Sequence, residues 1–315
     1  MDYGGSNSAI SQISERLRHG SNFPCIMLNS NRSEHAFIGL VGASLRVFVS
    51  SRVRSRVLTV SIDGRYLFPD VMLVLHPNIL KEDPAEMALT NMAIGFSGSY
   101  ITLSEFVAER LKRKYRKPVK VIRCGVQEHD IPRQKRHGDE IVVSHVGGIA
   151  PGRSRRTPML QLPEILREAF PDRKIRLIHV AGKWNWNEEM LRTNCEKAGI
   201  RFDLRGAGSN DEMFKVYAES DIYVYLSLEE GYSITPGEAL TMEKPVVISD
   251  LPVHKEVYRG KPGVFFCRNG EKQSVVDALR TAYETGSSPV FREKALERTW
   301  QDMVDEFNDY VAALI

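Results

Sequence analysis

Short apolar runs rich in β-branched residues alternate along this chain with longer stretches of helical periodicity, the pattern of parallel sheets covered by helices. In the first half the runs predict strands at Cys25 to Leu28, Val57 to Ile62, Val71 to Leu75, Ala93 to Ile101 and Val119 to Ile122. Helices are expected over Ser8 to Arg18, Glu34 to Val49 and Ser104 to Tyr115, the last with Ser104 as N-cap and Glu105 at the positive end of the dipole. The stretch from Gln127 to Glu140 turns polar, which places a linker there. The second half repeats the rhythm. Its strands are expected at Ile141 to Val146, Ile175 to Val180, Arg201 to Leu204, Ile222 to Leu226, Pro245 to Ser249 and Gly263 to Phe266. Its helices are expected at Met159 to Glu168, Asn187 to Lys197, Asp211 to Ala218, Pro236 to Met242, Gln273 to Thr285 and Phe291 to Ile315.

Composition narrows the class without naming a function. The chain of 315 residues is long for one core, and 42% hydrophobic with 26% charged is ordinary globular usage, which excludes collagen, coiled coil and disorder. A net charge of +3 is too mild to imply a nucleic-acid partner. Cys25, Cys124, Cys195 and Cys267 lie far apart, so they read as thiols in a reducing cytoplasm rather than a zinc or redox motif. No signal-like leader opens the sequence, and no apolar run approaches the roughly 20 residues of a membrane span.

Charge is uneven. The first half is basic and the second slightly acidic, mostly because of the run from Arg110 to Lys117. Such a run fits a solvated helix face, a surface for an anionic membrane, or a nucleic-acid contact, and charge alone leaves these open.

The chemistry concentrates in Ser227-Leu228-Glu229-Glu230-Gly231-Tyr232-Ser233-Ile234-Thr235-Pro236-Gly237-Glu238-Ala239-Leu240. The segment leaves a strand, turns at Gly231 and enters a helix with Pro236 at its first turn. In a doubly wound sheet that is the edge where ligands bind. Backbone N–H groups from Tyr232 to Thr235 suit an anionic phosphate, and the carboxylates of Glu230 and Glu238 suit hydroxyls.

This string resembles the E-x7-E segment of the family 4 retaining glycosyltransferases, which have the GT-B architecture. Glu230, Gly231, Thr235, Pro236, Glu238 and Ala239 match as identities, and Lys244-Pro245-Val246-Val247-Ile248-Ser249 resembles the strand that follows. The resemblance implies an α/β chain of two Rossmann-like domains facing across a cleft, the first shortened. The expected division is 1–138 for the acceptor domain, 139–290 for the nucleotide-sugar domain, and 291–315 for a terminal helix crossing back. It implies that Glu238 holds the ribose hydroxyls and Glu230 the sugar hydroxyls. Arg153, in Val146-Gly147-Gly148-Ile149-Ala150-Pro151-Gly152-Arg153, takes the place of the family's diphosphate-gripping lysine, while the family's arginine is replaced by Gly148. Gly231, Tyr232, Ser233, Ile234 and Thr235 line the donor, with Lys183 and Arg205 on neighbouring loops. Gly4 and Gly5 resemble the family's glycine-rich loop, although no strand precedes them, and His76 resembles its sugar-side histidine.

The activity implied is transfer of a sugar from a nucleotide diphosphate sugar to a glycan, lipid or protein acceptor. Retention of configuration is part of that implication. No Asp-x-Asp occurs, so neither a metal nor another cofactor is expected. An epimerase or phosphorylase on the same fold, and a sugar-nucleotide binding protein without turnover, are the alternatives. The expected location is cytoplasmic, with peripheral contact to anionic membrane through residues 110–117.

Overall fold

The first sheet is mixed, and the middle strand of its antiparallel half lies where the sequence suggested a helix. The structure, a computed structural model, describes residues 13, 16, 17, 19, 20, 25–28, 44–50, 55–62, 71–74, 95–132, 138–149, 158–181, 186–206 and 208–314. Strands β1 (Cys25–Leu28), β2 (Ser44–Ser50), β3 (Ser55–Ile62), β4 (Val71–Val74), β5 (Ser99–Thr102) and β6 (Val119–Val121) pair in the order of the chain. β1, β2 and β3 are antiparallel neighbours, whereas β3 to β6 run parallel.

The expected helix from Glu34 to Val49 is thus corrected over its last residues. Leu45, Val47 and Val49 alternate with Ser44, Arg46 and Phe48, and β-branched residues at period two favour a ladder with two partners. The expected strand from Ala93 is also shorter, since Gly95 and Phe96 are helical and pairing begins at Ser99. Of the expected helix from Ser8 to Arg18, the described Ile13, Arg16 and Leu17 are helical.

Helix α1 (Glu105–Tyr115) forms as expected, with the Ser104 hydroxyl accepting from the Val107 amide. It buries Val107, Ala108 and Leu111 against Val74 and Tyr100. Arg116, at φ 53°, stops it in the left-handed region.

The second sheet is wholly parallel. It comprises β7 (Glu140–Val146), β8 (Lys174–Ala181), β9 (Arg201–Gly206), β10 (Ile222–Tyr225), β11 (Val246–Ser249) and β12 (Val264–Cys267). Between them run α2 (Pro158–Ala169), α3 (Trp186–Lys197), α4 (Asn210–Glu219), α5 (Thr235–Thr241), α6 (Pro252–Tyr258) and α7 (Lys272–Thr285), followed by α8 (Pro289–Ala295) and α9 (Trp300–Ala313). The order β12-β11-β10-β7-β8-β9 places β7 and β10 side by side with the chain winding outward from each. That is the doubly wound arrangement, and its switch point lies between the carboxyl ends of β7 and β10.

Both faces of this sheet are covered. Ile141, Val143, Ile175, Leu177, Ile222 and Val224 pack with α2, α3 and α7, while Val142, Val146, Ile178, Val180 and Tyr223 pack with α4, α5 and α8. Continuous apolar strands are the expected sequence of a sheet buried on both sides.

Two helices differ from the sequence expectation. α6 was not foreseen. The helix expected from Phe291 to Ile315 is two, because Thr299 caps α9 through a reciprocal pair with Asp302.

The chain divides into two compact units. One holds Val126–Glu229 and Ser233–Arg298; the other holds Ala9–Gly125, Glu230–Tyr232 and Thr299–Ile315. They are called here the carboxyl-terminal and amino-terminal bodies.

Candidate functional site

In the carboxyl-terminal body the carboxyl ends of β7, β8, β10 and β11 carry a belt of polar side chains under an apolar sheet. Glu238 sits in the first turn of α5 and is 5% exposed. Its Oε2 accepts from the Tyr217 hydroxyl at 2.9 Å. Burial, with the Glu238 charge second, raises the Tyr217 phenol well above its ordinary pKa, so this hydroxyl keeps its proton and orients the carboxylate.

The start of α5 is held by its neighbours. The Tyr258 hydroxyl donates to the Ser233 carbonyl and accepts from the Gly237 amide at 3.2 Å. Gly237 is required there, because a Cβ would meet Val126 Cγ1 at 2.9 Å. Thr235 Oγ1 accepts from the Tyr223 hydroxyl at 2.7 Å. Ser233 Oγ bonds His254 Nε2 at 2.9 Å, and His254 Nδ1 donates to the Ser249 carbonyl at 2.7 Å. That second bond puts the proton on Nδ1, so the Ser233 hydroxyl is the donor to Nε2. Burial pushes the His254 pKa down to about 4.

A second polar string crosses β7 and β8. His145 and His179 face each other across the register pair, with Nδ1 to Nδ1 at 2.9 Å. Behind them Glu188 Oε1 lies 3.7 Å from His179 Nε2, both side chains fully buried. Asn187, next to it on α3, donates to the Ile149 carbonyl at 2.9 Å and ties that helix to the loop after β7.

The predicted site residues divide across the two bodies. Ser233, Ile234, Thr235 and Glu238 belong to the carboxyl-terminal body; Glu230, Gly231 and Tyr232 group with the amino-terminal one. There the Ser104 hydroxyl donates to the Gly231 carbonyl at 2.7 Å, and the Tyr232 hydroxyl donates to the Cys124 carbonyl at 2.9 Å. Glu230 is half-buried. Arg205 ends β9 with its guanidinium between Glu219, at 2.8 and 3.0 Å, and Asp203, at 2.9 Å. Those bonds raise an already high pKa, and they commit the fork to an ion-pair cluster that Arg176 also approaches. Gly4, Gly5, His76, Arg153 and Lys183 lie outside the described residues.

Sequence reasoning missed Tyr217, Tyr258, His254 and the His145–His179 pair. His145 and His179 had a signal, being polar positions inside largely apolar strand runs, whereas His254 lies in the unforeseen α6. The tyrosines read as ordinary core residues.

Among the described residues no group of three His, Cys, Asp or Glu is arranged to hold a metal. No described helix is long and apolar enough to cross a membrane.

Comparison with known proteins places this geometry. Residues 141–285 match the family model described as "Glycosyl transferases group 1". The chain is 28% identical over 104 residues to the O-antigen chain mannosyltransferase RfbU of Salmonella typhimurium, a match covering 33% of this chain and 25% of that protein. It thus spans about a quarter of that relative's length. Among solved structures, sucrose-phosphate synthase from Thermosynechococcus elongatus superposes with a TM-score of 0.62 at 14% identity, covering 78% of this chain and 67% of the other. A variant of S. aureus TarM in complex with Fondaparinux, alpha-GlcNAc-glycerol and UDP superposes with a TM-score of 0.59 at 15% identity, covering 76% and 50%. The fold shared with such structures is GT-B. The match to the group 1 glycosyltransferase model, residues 141–285, falls on the parallel sheet with its polar carboxyl edge.

Proposed function

We propose that this protein transfers a sugar, with retention of configuration and without a metal ion, from a nucleoside diphosphate sugar to a hydroxyl acceptor. The observation that carries the reading is Glu238: a carboxylate in the first turn of the helix after β10, at the switch point of a doubly wound sheet, aimed by Tyr217. A carboxylate there suits vicinal hydroxyls and repels phosphate. Glu238 is assigned to the ribose and Glu230 to the hydroxyls of the transferred sugar. Arg153, Lys183 and the backbone from Gly231 to Thr235 serve the diphosphate, while His76, Gly4 and Gly5 serve the sugar side. Arg205, held by Asp203 and Glu219, is left out of this set.

In the reaction the bond from the anomeric carbon to the diphosphate oxygen breaks and one to the acceptor oxygen forms. The ring becomes oxocarbenium-like as charge gathers on the leaving diphosphate. Donors aimed at that charge are the main catalytic resource of such a site, each worth about a hundredfold or more in rate.

The test begins with thermal stabilisation by UDP, GDP and ADP, followed by the matching sugar donors with mixed acceptors. Transfer that is lost in Glu230→Ala, with nucleotide binding retained, is the expected result. Donor epimerisation or phosphate-dependent turnover without an acceptor would replace the reading with an epimerase or a phosphorylase. Binding without turnover for every donor would leave a sugar-nucleotide binding protein.

A specific observation also supports peripheral contact with an anionic membrane at its cytoplasmic face. Lys112, Arg113, Lys114, Arg116 and Lys120 are all exposed, and Phe96, 52% exposed, ends a helical stretch that Lys117 Nζ braces through the Gly95 and Ser97 carbonyls. Cations beside an aromatic ring suit anionic headgroups. Co-sedimentation with vesicles containing phosphatidylglycerol should weaken with salt and with Phe96→Ser.

A further inference from the structure

The His145–His179–Glu188 string has no role in the assignments above. Its geometry is restrictive. Two Nδ1 atoms 2.9 Å apart hold one proton between them, since two would clash and none would leave opposed lone pairs. Which ring owns it follows from the far end. His179 Nε2 faces the Glu188 carboxylate at 3.7 Å, and both groups are 0% exposed. The favourable tautomer carries a proton on that Nε2, so His179 Nδ1 is the acceptor and His145 Nδ1 the donor. The remaining lone pair of the string is therefore on His145 Nε2.

That nitrogen lies at the carboxyl end of β7. A Cβ built on Gly147, the first residue after the strand, would sit 3.9 Å from His145 Nε2 and Cε1, and Gly147 has φ +134°. His145 is 4% exposed, and each hydrogen bond it makes among the described residues runs through Nδ1. The groups packed against the pair are His179 on β8, Tyr225 on β10 with its ring centroid 6.0 Å from that of His145, Phe202 on β9 behind His179, and Glu188 on α3. No lysine or arginine is among these contacts.

A lone pair at this edge opposes an incoming anion; a proton on it turns opposition into a charge-assisted hydrogen bond. We propose that His145 is the proton-linked contact for the nucleotide: binding of a nucleoside diphosphate takes up one proton at His145 Nε2, and the imidazolium formed is stabilised by the bound anion in front and by Glu188 through His179 behind. This inference rests on the nucleoside diphosphate reading above. The proton comes from solvent, adds to the Nε2 lone pair and breaks no bond in the ligand. It returns to solvent when the diphosphate leaves. Burial and His179 hold the free imidazole well below its ordinary pKa, so the free protein is neutral at this position near neutral pH. Affinity then falls by about tenfold per pH unit as pH rises from the free-state pKa to the bound-state pKa, because the proton must be drawn from an ever scarcer supply, and it levels off above the bound-state pKa.

The test is titration calorimetry of the whole chain with UDP, GDP and ADP, near neutral pH, in buffers of different ionisation enthalpy. A plot of observed enthalpy against buffer ionisation enthalpy should have a slope approaching one proton taken up for whichever nucleotide binds. His145→Gln should bring the slope to zero, and Glu188→Gln should lower it. Nucleotide binding by the unmodified protein with zero slope overturns the inference and leaves the transferase reading standing. Binding by none of the three overturns that reading, and this inference with it. A second measurement needs neither variant nor ligand. Nitrogen-15 imidazole spectra should show His145 protonated at Nδ1 and His179 at Nε2, and the reverse assignment overturns the proposal.

Discussion

The two sheets each contain six strands, yet among the described residues every buried histidine, acid and lysine belongs to the carboxyl-terminal body: His145, His179, Glu188, Asp221, Glu238, Lys244 and His254. The amino-terminal body buries Ser97, Ser99, Thr102, Ser104 and Asn308, small neutral groups, of which Ser97, Ser104 and Asn308 donate to backbone carbonyls. Burying an ionisable group costs stability unless it is paired, so the contrast separates a framework from a body that spends stability on a chemical edge.

The strongest way to break this contrast is to attack the framework. In Gly125→Ala the new Cβ would lie 1.9 Å and 2.0 Å from the backbone carbon and oxygen of Thr299. Backbone at the cap of α9 has nowhere to retreat, so the loss should exceed about 4 kcal/mol. Urea denaturation of a soluble variant with an unchanged midpoint would contradict the packing described.

Acid tests the other body. His254 has a folded pKa of about 4, below its unfolded value of 6.5, so the stability it contributes is fully present above 6.5. That contribution is lost as pH falls toward 4. The difference amounts to about 3 kcal/mol, which should appear as a falling urea midpoint across this window and be reduced in His254→Gln.

Chemistry is addressed next. Glu238→Gln keeps a hydrogen-bond acceptor for Tyr217 but removes the charge, and should lower kcat/KM for the donor about a hundredfold. An unchanged value would detach Glu238 from the donor.

Tyr258→Phe removes the hydroxyl that serves Ser233 and Gly237 at the start of α5. It should cost about 1–3 kcal/mol, read as a lowered melting temperature.

The smallest effect is expected at Arg205→Ala. The side chain is 31% exposed and paired with Asp203 and Glu219, so stability should fall by about 1 kcal/mol or less and nucleotide affinity should hold. A tenfold loss of affinity would return Arg205 to the donor site.

The carboxyl-terminal sheet was legible because its inner strands β7, β8, β10 and β11 are mostly apolar, as a parallel sheet buried on both faces demands. Arg201, Val246 and Val264 begin or nearly begin strands where the runs predicted. The amino-terminal sheet was less so. The segment from Ser44 to Ser50 fits a helix or a strand as an isolated string, and its pairing with β1 and β3 decides the matter. The division at Thr299 is a cap that a helical reading passes over, because Trp300, Met303, Val304 and Phe307 continue the apolar period beyond it.

What the sequence determined by itself was local and periodic: the α/β class, the strand runs, the Ser104 cap and the string from Glu230 to Glu238, each written in consecutive residues. Tertiary structure alone decided which partners those residues meet. Tyr217 reaches Glu238 from α4, Tyr258 closes over the start of α5, and His145 meets His179 because β7 and β8 align in register. Hydrogen bonds between residues 21 to 34 positions apart depend on the packing of whole layers, and no spacing along the chain encodes them.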